Sequence, residues 1–177
     1  IELTKKILKP AVQSKWMEIS YIDVIKKYAK KSEAEVRKMK GGALDELFKK
    51  SVRPKLVKPT IIYMHPKSLS PLSKSYENDP EITERFQFII DGMEVANGWS
   101  ELNDPIDQRE RMEEQEKLYR RGDKEASRLD EDFLEALEYG MPPTAGHGFS
   151  ERLFSFLAGV SIREGQLFPL MRPRSEN

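Results

Sequence analysis

The spacing of hydrophobic positions changes along the chain. Up to about residue 57, apolar residues recur every three to four positions, as in Ile22, Ile25 and Ala29, and Ser20 stands where a helix cap would. This is the period of helices that bury one face, and serine is a preferred capping residue. We therefore expect residues 1–57 to form a small subdomain of short helices.

Beyond Pro54 the pattern becomes that of strands. Residues 59–64 are β-branched and aromatic, and residues 85–90 and 94–101 flank Asp91-Gly92, a pair typical of two-residue hairpin turns. Strands in adjacent hairpins, with helices between them, favour an α+β fold with a mainly antiparallel sheet flanked by helices. Capped helical patterns cover residues 104–121, 130–140 and 150–159, and a last apolar strand is predicted over residues 166–170.

Composition narrows the functional classes. Thirty Lys and Arg residues balance thirty Asp and Glu residues, so net charge gives no argument for nucleic-acid binding, although it leaves room for a local basic patch. The absence of cysteine excludes disulfide scaffolds and thiolate metal sites. No apolar run approaches the roughly 20 residues that span a bilayer. The start at Ile1 is neither an initiator methionine nor a secretory signal, so we expect a processed product or a piece of a longer protein.

The best candidate site lies on the second strand of the predicted hairpin. Alternate residues of a strand share a face, so Asn97, Trp99 and Glu101 should project together. An amide, an aromatic wall and a carboxylate can hold a cationic substrate by orientation, cation–π contact and charge pairing. The same alternation is typical of the solvent-exposed face of any hairpin, and the pattern alone does not decide between the two.

Glu94 supplies a second carboxylate at an odd spacing. It precedes Glu101 by seven positions, which puts the two on opposite faces of a regular strand. Joint binding of one metal ion would need a bulge or kink, and Gly98 is the residue that permits one. Two carboxylates suit Mg²⁺, a hard cation that takes oxygen ligands.

The segment from Gly146 to Arg152 joins a strand end to a helix start. Gly146 and Gly148 let a ligand approach the backbone, and a helix N-terminus favours anions. Arg152, in the first helical turn, opposes the helix dipole, which suggests a role other than helix stability. A tight turn followed by a solvated arginine explains the segment equally well.

Two further patterns are interpreted as structural. The two histidines, His65 and His147, are expected to be surface or loop residues, since zinc sites usually need more ligands of this kind. The run of mixed charges over residues 107–125 is interpreted as a solvated helix face.

Six segments match one known family in the same order. They are residues 69–74, 83–86, 94–105 with Gln108 and Arg109, 130–133, 137–146 and 167–173. The Glu-Leu-Asn-Asp-Pro and Phe-Pro-Leu-Met-Arg-Pro sequences within them are the most specific. Together they resemble the class II lysyl-tRNA synthetases over about residues 54–173, and the helical part before them is similar in position and character to the family's insertion.

The resemblance implies a fold and an activity. Residues 1–57 would be the helical insertion subdomain, and residues 58–177 the C-terminal half of a class II synthetase catalytic domain. The implied activity is lysine–tRNA ligation, in which L-lysine is activated with ATP and Mg²⁺ as lysyl-adenylate and passed to tRNA(Lys). The resemblance also implies a cytoplasmic homodimer for the parent protein, with no membrane association.

The same resemblance implies functions for single residues. Glu94 looks like the carboxylate that serves ATP through Mg²⁺, and Asn97 like a contact of both lysine and ATP. Glu101 looks like the catalytic partner of the lysine substrate and a second Mg²⁺ ligand. Arg152 resembles the catalytic third-motif arginine that lies against the adenine and γ-phosphate. Three more residues are implied contacts, namely Trp99 (where the family has Tyr or Phe) and Gly146 for lysine, and Gly148 for ATP.

Two departures from the family pattern matter. The third motif, Gly-x-Gly-x-Gly-x-x-Arg, is one residue short and lacks its third glycine, since Gly148 and Arg152 are separated by Phe-Ser-Glu. The second motif, whose arginine meets the α-phosphate, does not occur in the sequence, so we expect the isolated 177-residue chain to be inactive. A paralogue that lysylates a protein and a non-catalytic binding module with the same sheet are the alternative functions.

Overall fold

The computed structural model describes residues 1–9, 12, 14–39, 41–123 and 126–168. Its strands are β1 (Met17–Ser20), β2 (Thr60–Pro66), β3 (Ser75–Tyr76), β4 (Asp79–Ile90), β5 (Met93–Ser100) and β6 (Ala145–Phe149). They form one sheet in the order β1-β2-β4-β5-β6, with β3 paired to β4. β1 runs parallel to β2 and the other pairs are antiparallel, which confirms the predicted α+β fold with a mainly antiparallel sheet.

Helices flank this sheet, and those capped by Ser20, Asp104, Asp130 and Ser150 begin where the sequence predicts. In the described residues the α-helices are α1 (Glu2–Leu8), α2 (Tyr21–Ala29), α3 (Glu33–Lys38), α4 (Gly41–Leu47), α5 (Pro105–Arg120), α6 (Glu131–Glu138) and α7 (Glu151–Ala158). The Ser20 hydroxyl accepts a hydrogen bond from Asp23 N at 3.1 Å at the start of α2, and Asp104 and Asp130 cap α5 and α6 in the same way. None of these helices is long and apolar enough to cross a membrane.

The β4–β5 hairpin is the part of the fold that positions the candidate site. Asp91 and Gly92 join its strands with φ angles of 48° and 69°, the positive values that a two-residue hairpin turn requires. Their amides donate to the carbonyls of Val57 and Leu56 at 3.1 and 3.0 Å. The predicted hairpin is confirmed, and its turn is tied to the segment that leads into β2.

The sheet separates two apolar clusters. On one face, called here the α2 face, Tyr21 and Ile25 of α2 pack with Ile62 and Ile89 of the sheet, together with residues of α3 and α4. On the opposite face, called here the α1 face, the apolar cluster comprises Leu8 of α1, Leu153 of α7 and the sheet residues Ile61, Phe88, Ile90, Val95 and Ala96. Adjacent residues such as Ile61 and Ile62 enter different clusters because strand side chains alternate.

The first 57 residues contribute more than helices. Met17–Ser20 form strand β1, which pairs with Thr60–Tyr63 of β2, and the sequence pattern does not predict this strand. Its four residues are too few for a recognisable alternation, and its partner lies far along the chain. The boundary between residues 57 and 58 stays a prediction.

Some apolar positions are not buried as their spacing predicts. In α7, Phe154 is 58% and Leu157 48% exposed. The predicted strand over residues 166–170 is wrong for Gln166–Phe168, which are not in a strand. The remainder of that segment lies outside the described residues.

Candidate functional site

Strand β5 lies between β4 and β6 and carries Glu94, Asn97 and Trp99, and Glu101 follows directly after its last residue. Asn97 is paired with Gln87 of β4, and the Gln87 side chain bonds to His65, whose ring lies 5.0 Å from that of Tyr21 in α2. The face that carries Asn97 is therefore the α2 face. Trp99, two residues further along β5, has its side chain on the same face.

Glu94 reaches this face through a β-bulge. The register of the hairpin shifts between Phe88 and Ile89 of β4, so that Val95 is the extra residue of β5. One extra residue reverses the alternation of side chains. As a result, Asn97 Nδ2 donates to Glu94 Oε1 at 2.6 Å, and the two side chains lie together.

The predicted irregularity therefore exists, but its expected position at Gly98 is wrong. Gly98 pairs regularly with Phe86 and His147. A Cβ at Gly98 would lie 2.5 Å from the Gly146 carbonyl oxygen and 2.6 Å from the Phe86 ring. Glycine is needed at this position because neighbouring strands approach closely, and it does not bend the strand.

A buried polar chain supports Glu94 from within the sheet. Gln87 Nε2 donates to Glu94 Oε2 at 2.9 Å, and His65 Nε2 lies 3.0 Å from Gln87 Oε1. His65 is 1% exposed, so its interpretation as a surface or loop residue is wrong. Burial, assisted by the charge of Arg85, lowers the pKa of His65 to about 3. The imidazole is therefore neutral at physiological pH.

Arg85 places a partly buried positive charge next to this chain. It donates to the Leu69 carbonyl at 2.7 Å and to Ser70 Oγ at 3.1 Å. Burial lowers the pKa of Arg85, and nearby Glu94 and Asp45 act against that shift. Glu94 and Asp45 thus offset part of the effect of burial on the guanidinium.

Glu101 lies just beyond the other end of β5. Trp99 Nε1 donates to Glu101 Oε2 at 2.7 Å, and Glu101 forms a β-bridge with Ser73. A Cβ built on Gly146 would lie 3.6 Å from Glu101 Oε1, so the carboxylate lies over the Gly146 backbone. Glu101, Trp99 and Gly146, all predicted from the sequence for the lysine side, are therefore neighbours.

Helix α5 fixes the loop that pairs with Glu101. Arg111, 5% exposed, donates to the Ser73 carbonyl at 2.8 Å, to Ser75 Oγ at 2.9 Å and to Asp107. This hydrogen bond from Arg111 lowers the pKa of Asp107. The interpretation of this helix as simply solvated is wrong at Arg111 and at Gln108, which is also buried. In the sequence, the Asp-x-x-x-Arg spacing is indistinguishable from that of a surface ion pair.

The glycine-bearing strand β6 and the start of α7 flank the Asn97 end. Gly148 pairs with Asn97, and a Cβ built on it would meet no described atom within 4 Å, so the space over its backbone is open. Arg152 is exposed in the first turn of α7. Among the described residues, no hydrogen bond or ion pair links its guanidinium to Glu94, Asn97 or Glu101. Arg152 is therefore not joined directly to these three residues.

The donor set on this face suits a magnesium ion that arrives with its nucleotide. The described residues contain no group of three or more His, Asp or Glu side chains that could hold a metal ion. Glu94 and Glu101 supply hard carboxylate oxygens, and Mg²⁺ is usually bound by one or two carboxylates together with substrate phosphates. Both residues are partly exposed, so neither is enclosed in the core.

Comparisons with known proteins agree with the sequence motifs. The family model "tRNA synthetases class II (D, K and N)" matches residues 1–172. The chain is 52% identical over 136 residues to a lysine–tRNA ligase of Porphyromonas gingivalis, covering 76% of this chain and 24% of that protein. It is 47% identical over 163 residues to the lysine–tRNA ligase of Bacillus subtilis, covering 90% of this chain and 32% of that protein. The chain thus spans about a quarter to a third of the length of these relatives.

Proposed function

The chain belongs to the class II tRNA synthetases (D, K and N), and we propose that the protein containing it is a lysine–tRNA ligase. The observation that carries this proposal is identity of about one residue in two with lysine–tRNA ligases over at least three quarters of the chain. The substrates would be L-lysine, ATP and tRNA(Lys). We further propose that the parent protein acts as a cytoplasmic homodimer.

The Glu101 end of β5 would bind the lysine side chain. The Glu101 carboxylate offers a countercharge for the substrate ammonium, and its hydrogen bond from Trp99 fixes the orientation of that carboxylate. The Trp99 ring adds an aromatic wall beside the aliphatic part of the substrate. Gly146, with no side chain, lets the Glu101 carboxylate lie over its backbone, and Asn97 would orient the substrate from the next position on the same face.

The Glu94 end would bind ATP. The Glu94 carboxylate would ligate Mg²⁺, with Glu101 as a second ligand, and Asn97 would contact both substrates from between them. The open backbone at Gly148 gives the nucleotide access to the strand. Arg152 would lie against the adenine and γ-phosphate, which requires its exposed side chain to turn toward this face when ATP binds.

The proposed reaction needs positioning more than covalent chemistry from the protein. A lysine carboxylate oxygen attacks the α-phosphorus of ATP in line, pyrophosphate leaves, and lysyl-adenylate remains. Bound Mg²⁺ supplies charge compensation at the phosphates. The residues of this chain hold lysine at one end of β5 and the nucleotide at the other, so that the two reacting groups meet in a fixed geometry.

The proposal is tested with Glu101→Gln in the full-length protein. Removing the countercharge of a bound ammonium costs on the order of 2–5 kcal/mol, so kcat/KM for lysine should fall far more than kcat/KM for ATP. Lysine-dependent exchange of pyrophosphate into ATP measures both. Glu114→Gln, at an exposed carboxylate of α5, is the matched control and should match the wild type. An unchanged KM and rate for lysine in Glu101→Gln would refute the assignment.

A further inference from the structure

Two buried polar residues remain without a function in the proposed reaction. Gln87 is 8% and His65 1% exposed, and they are linked to each other and to Glu94 by side-chain hydrogen bonds. Neither is required by the sheet, whose ladder uses backbone groups only. Buried polar side chains are costly unless they are fully paired, so their presence under a substrate-binding carboxylate calls for a reason.

The available protons determine the direction of each hydrogen bond between Glu94, Gln87 and His65. Glu94 Oε2 lies 2.9 Å from Gln87 Nε2, which donates to it. The Gln87 amide oxygen then faces His65 Nε2 at 3.0 Å, and an amide oxygen only accepts, so the proton of the neutral imidazole must sit on Nε2. Reversing the amide would set its oxygen against a carboxylate oxygen, which is the worse arrangement because one partner is charged.

This arrangement leaves His65 Nδ1, the other ring nitrogen, without a proton. With the proton on Nε2, His65 Nδ1 has no hydrogen to give to the Arg85 carbonyl oxygen, 3.2 Å away. A single proton cannot serve both acceptors. The imidazole therefore donates to Gln87 and makes no hydrogen bond to the Arg85 carbonyl. This is expected if the orientation of Gln87 matters to the site.

We propose that Gln87 and His65 are positioning residues that hold the Glu94 carboxylate in the orientation in which it receives Mg·ATP. The inference rests on the proposed function, because it assigns the cation at Glu94 to the nucleotide. Asn97 holds Oε1 and Gln87 holds Oε2, so one N–H donor occupies one lone pair of each carboxylate oxygen. The lone pairs that remain point in fixed directions.

Equilibrium binding of Mg·ATP to the full-length protein, without lysine, tests the proposal. Loss of a partner that orients a metal-binding side chain typically costs 10–100-fold in metal affinity or activity, so Gln87→Met should weaken Mg·ATP binding at least about tenfold while lysine affinity stays within about twofold. Thr60→Val, which also removes one buried side-chain hydrogen bond from the sheet, is the control for a general loss of stability. Mg·ATP affinity within twofold of the wild type in Gln87→Met, or a loss equal to that in Thr60→Val, overturns the proposal.

Two His65 variants separate hydrogen bonding from packing. His65→Gln can still donate an N–H to Gln87, whereas His65→Phe fills the space without a donor. We expect His65→Gln to retain most of the Mg·ATP affinity and His65→Phe to lose about as much as Gln87→Met. Equal affinities in the two His65 variants contradict the positioning function.

An NMR measurement without substrate tests which nitrogen of His65 carries the proton. With ¹⁵N-labelled histidine, the signal lost in His65→Gln should report a neutral ring protonated on Nε2. A proton on Nδ1 contradicts the proposal. These outcomes are distinct from failure of the proposed function, which would appear as absence of lysine-dependent pyrophosphate exchange in the wild-type protein.

Discussion

The two ends of strand β5 support their carboxylates in different ways. Glu94 is held from within the sheet, by the buried side chains of Gln87 and His65. Glu101 is held from the side, by Trp99 and by a loop that Arg111 of α5 clamps in place. One end therefore depends on hydrogen bonds between neutral buried groups, and the other on a charged clamp supplied by a helix outside the sheet.

Because their supports differ, the Glu94 end and the Glu101 end should be sensitive to different changes. A chain of neutral groups inside a sheet has little freedom to rearrange, and its weakness is protonation of the buried imidazole. The charged pair of Arg111 and Asp107, which forms the clamp, holds the loop as long as both charges are present. Loss of either residue disrupts it. Variants and pH should therefore affect the two ends separately.

The largest effect is expected at the clamp. Arg111→Met keeps much of the buried side-chain volume but removes hydrogen bonds to Ser73, Ser75 and Asp107, and should cost about 3 kcal/mol of stability. Since the loop pairs with Glu101, KM for lysine should rise more than KM for ATP. Thermal unfolding and pyrophosphate exchange of the full-length protein measure the two effects.

The control for the clamp comes from the same helix. Arg109 pairs with Glu131 at 2.9 Å in an exposed position, and such pairs contribute about 0–1 kcal/mol. Arg109→Met should therefore cost far less than Arg111→Met. Equal costs for the two variants would mean that α5 is held by its general packing and that the clamp contributes nothing particular.

A smaller effect is expected from acid at the Glu94 end. The pKa of His65 is lowered to about 3 from an ordinary 6.5, so the unfolded state takes up a proton below pH 6.5 that the folded state refuses. Stability therefore falls as the pH decreases below 6.5, by at most about 1.4 kcal/mol per pH unit, which amounts to at most about 2 kcal/mol at pH 5. Because the pKa of Asp107 is lowered, the stability that the Arg111–Asp107 pair contributes is lost only below pH 3.8, the ordinary pKa of an aspartate.

Unfolding at pH 7.5 and pH 5 distinguishes the two ends. His65→Gln should show a weaker pH dependence than the wild type, and Arg111→Met should keep the wild-type dependence. If His65→Gln and the wild type lose the same stability between these pH values, His65 is not the acid-sensitive group.

Local chemistry made much of the site predictable from the sequence. The Asp91-Gly92 turn fixes the hairpin, and the period of two then sets Asn97, Trp99 and Glu101 on one face. The bulge at Val95 was also signalled, since Val95 and Ala96 are successive apolar residues in an alternating strand and both are buried on the same side. Gly98 drew attention instead because glycine is common at bulges, whereas here it serves a close approach of strands.

Other features depend on partners that no local pattern reveals. The spacing around Arg111 is that of a surface ion pair, and only the loop brought against α5 buries it. His65 lies in a strand whose neighbours are apolar, and its hydrogen bond to Gln87 joins residues far apart in the chain. The apolar pattern of α7 correctly predicts a helix. It does not predict what packs against Phe154, and this side chain is exposed among the described residues.

The most direct test of the account compares Glu94→Gln with Glu101→Gln in the full-length protein. Binding of Mg·ATP and of lysine is measured separately for each variant. Glu94→Gln should weaken Mg·ATP binding at least as much as Gln87→Met and lysine binding much less, and Glu101→Gln should weaken lysine binding more than Mg·ATP binding. Loss of the two ligands in the same proportion in both variants would contradict the assignment of the two ends of β5 to different substrates.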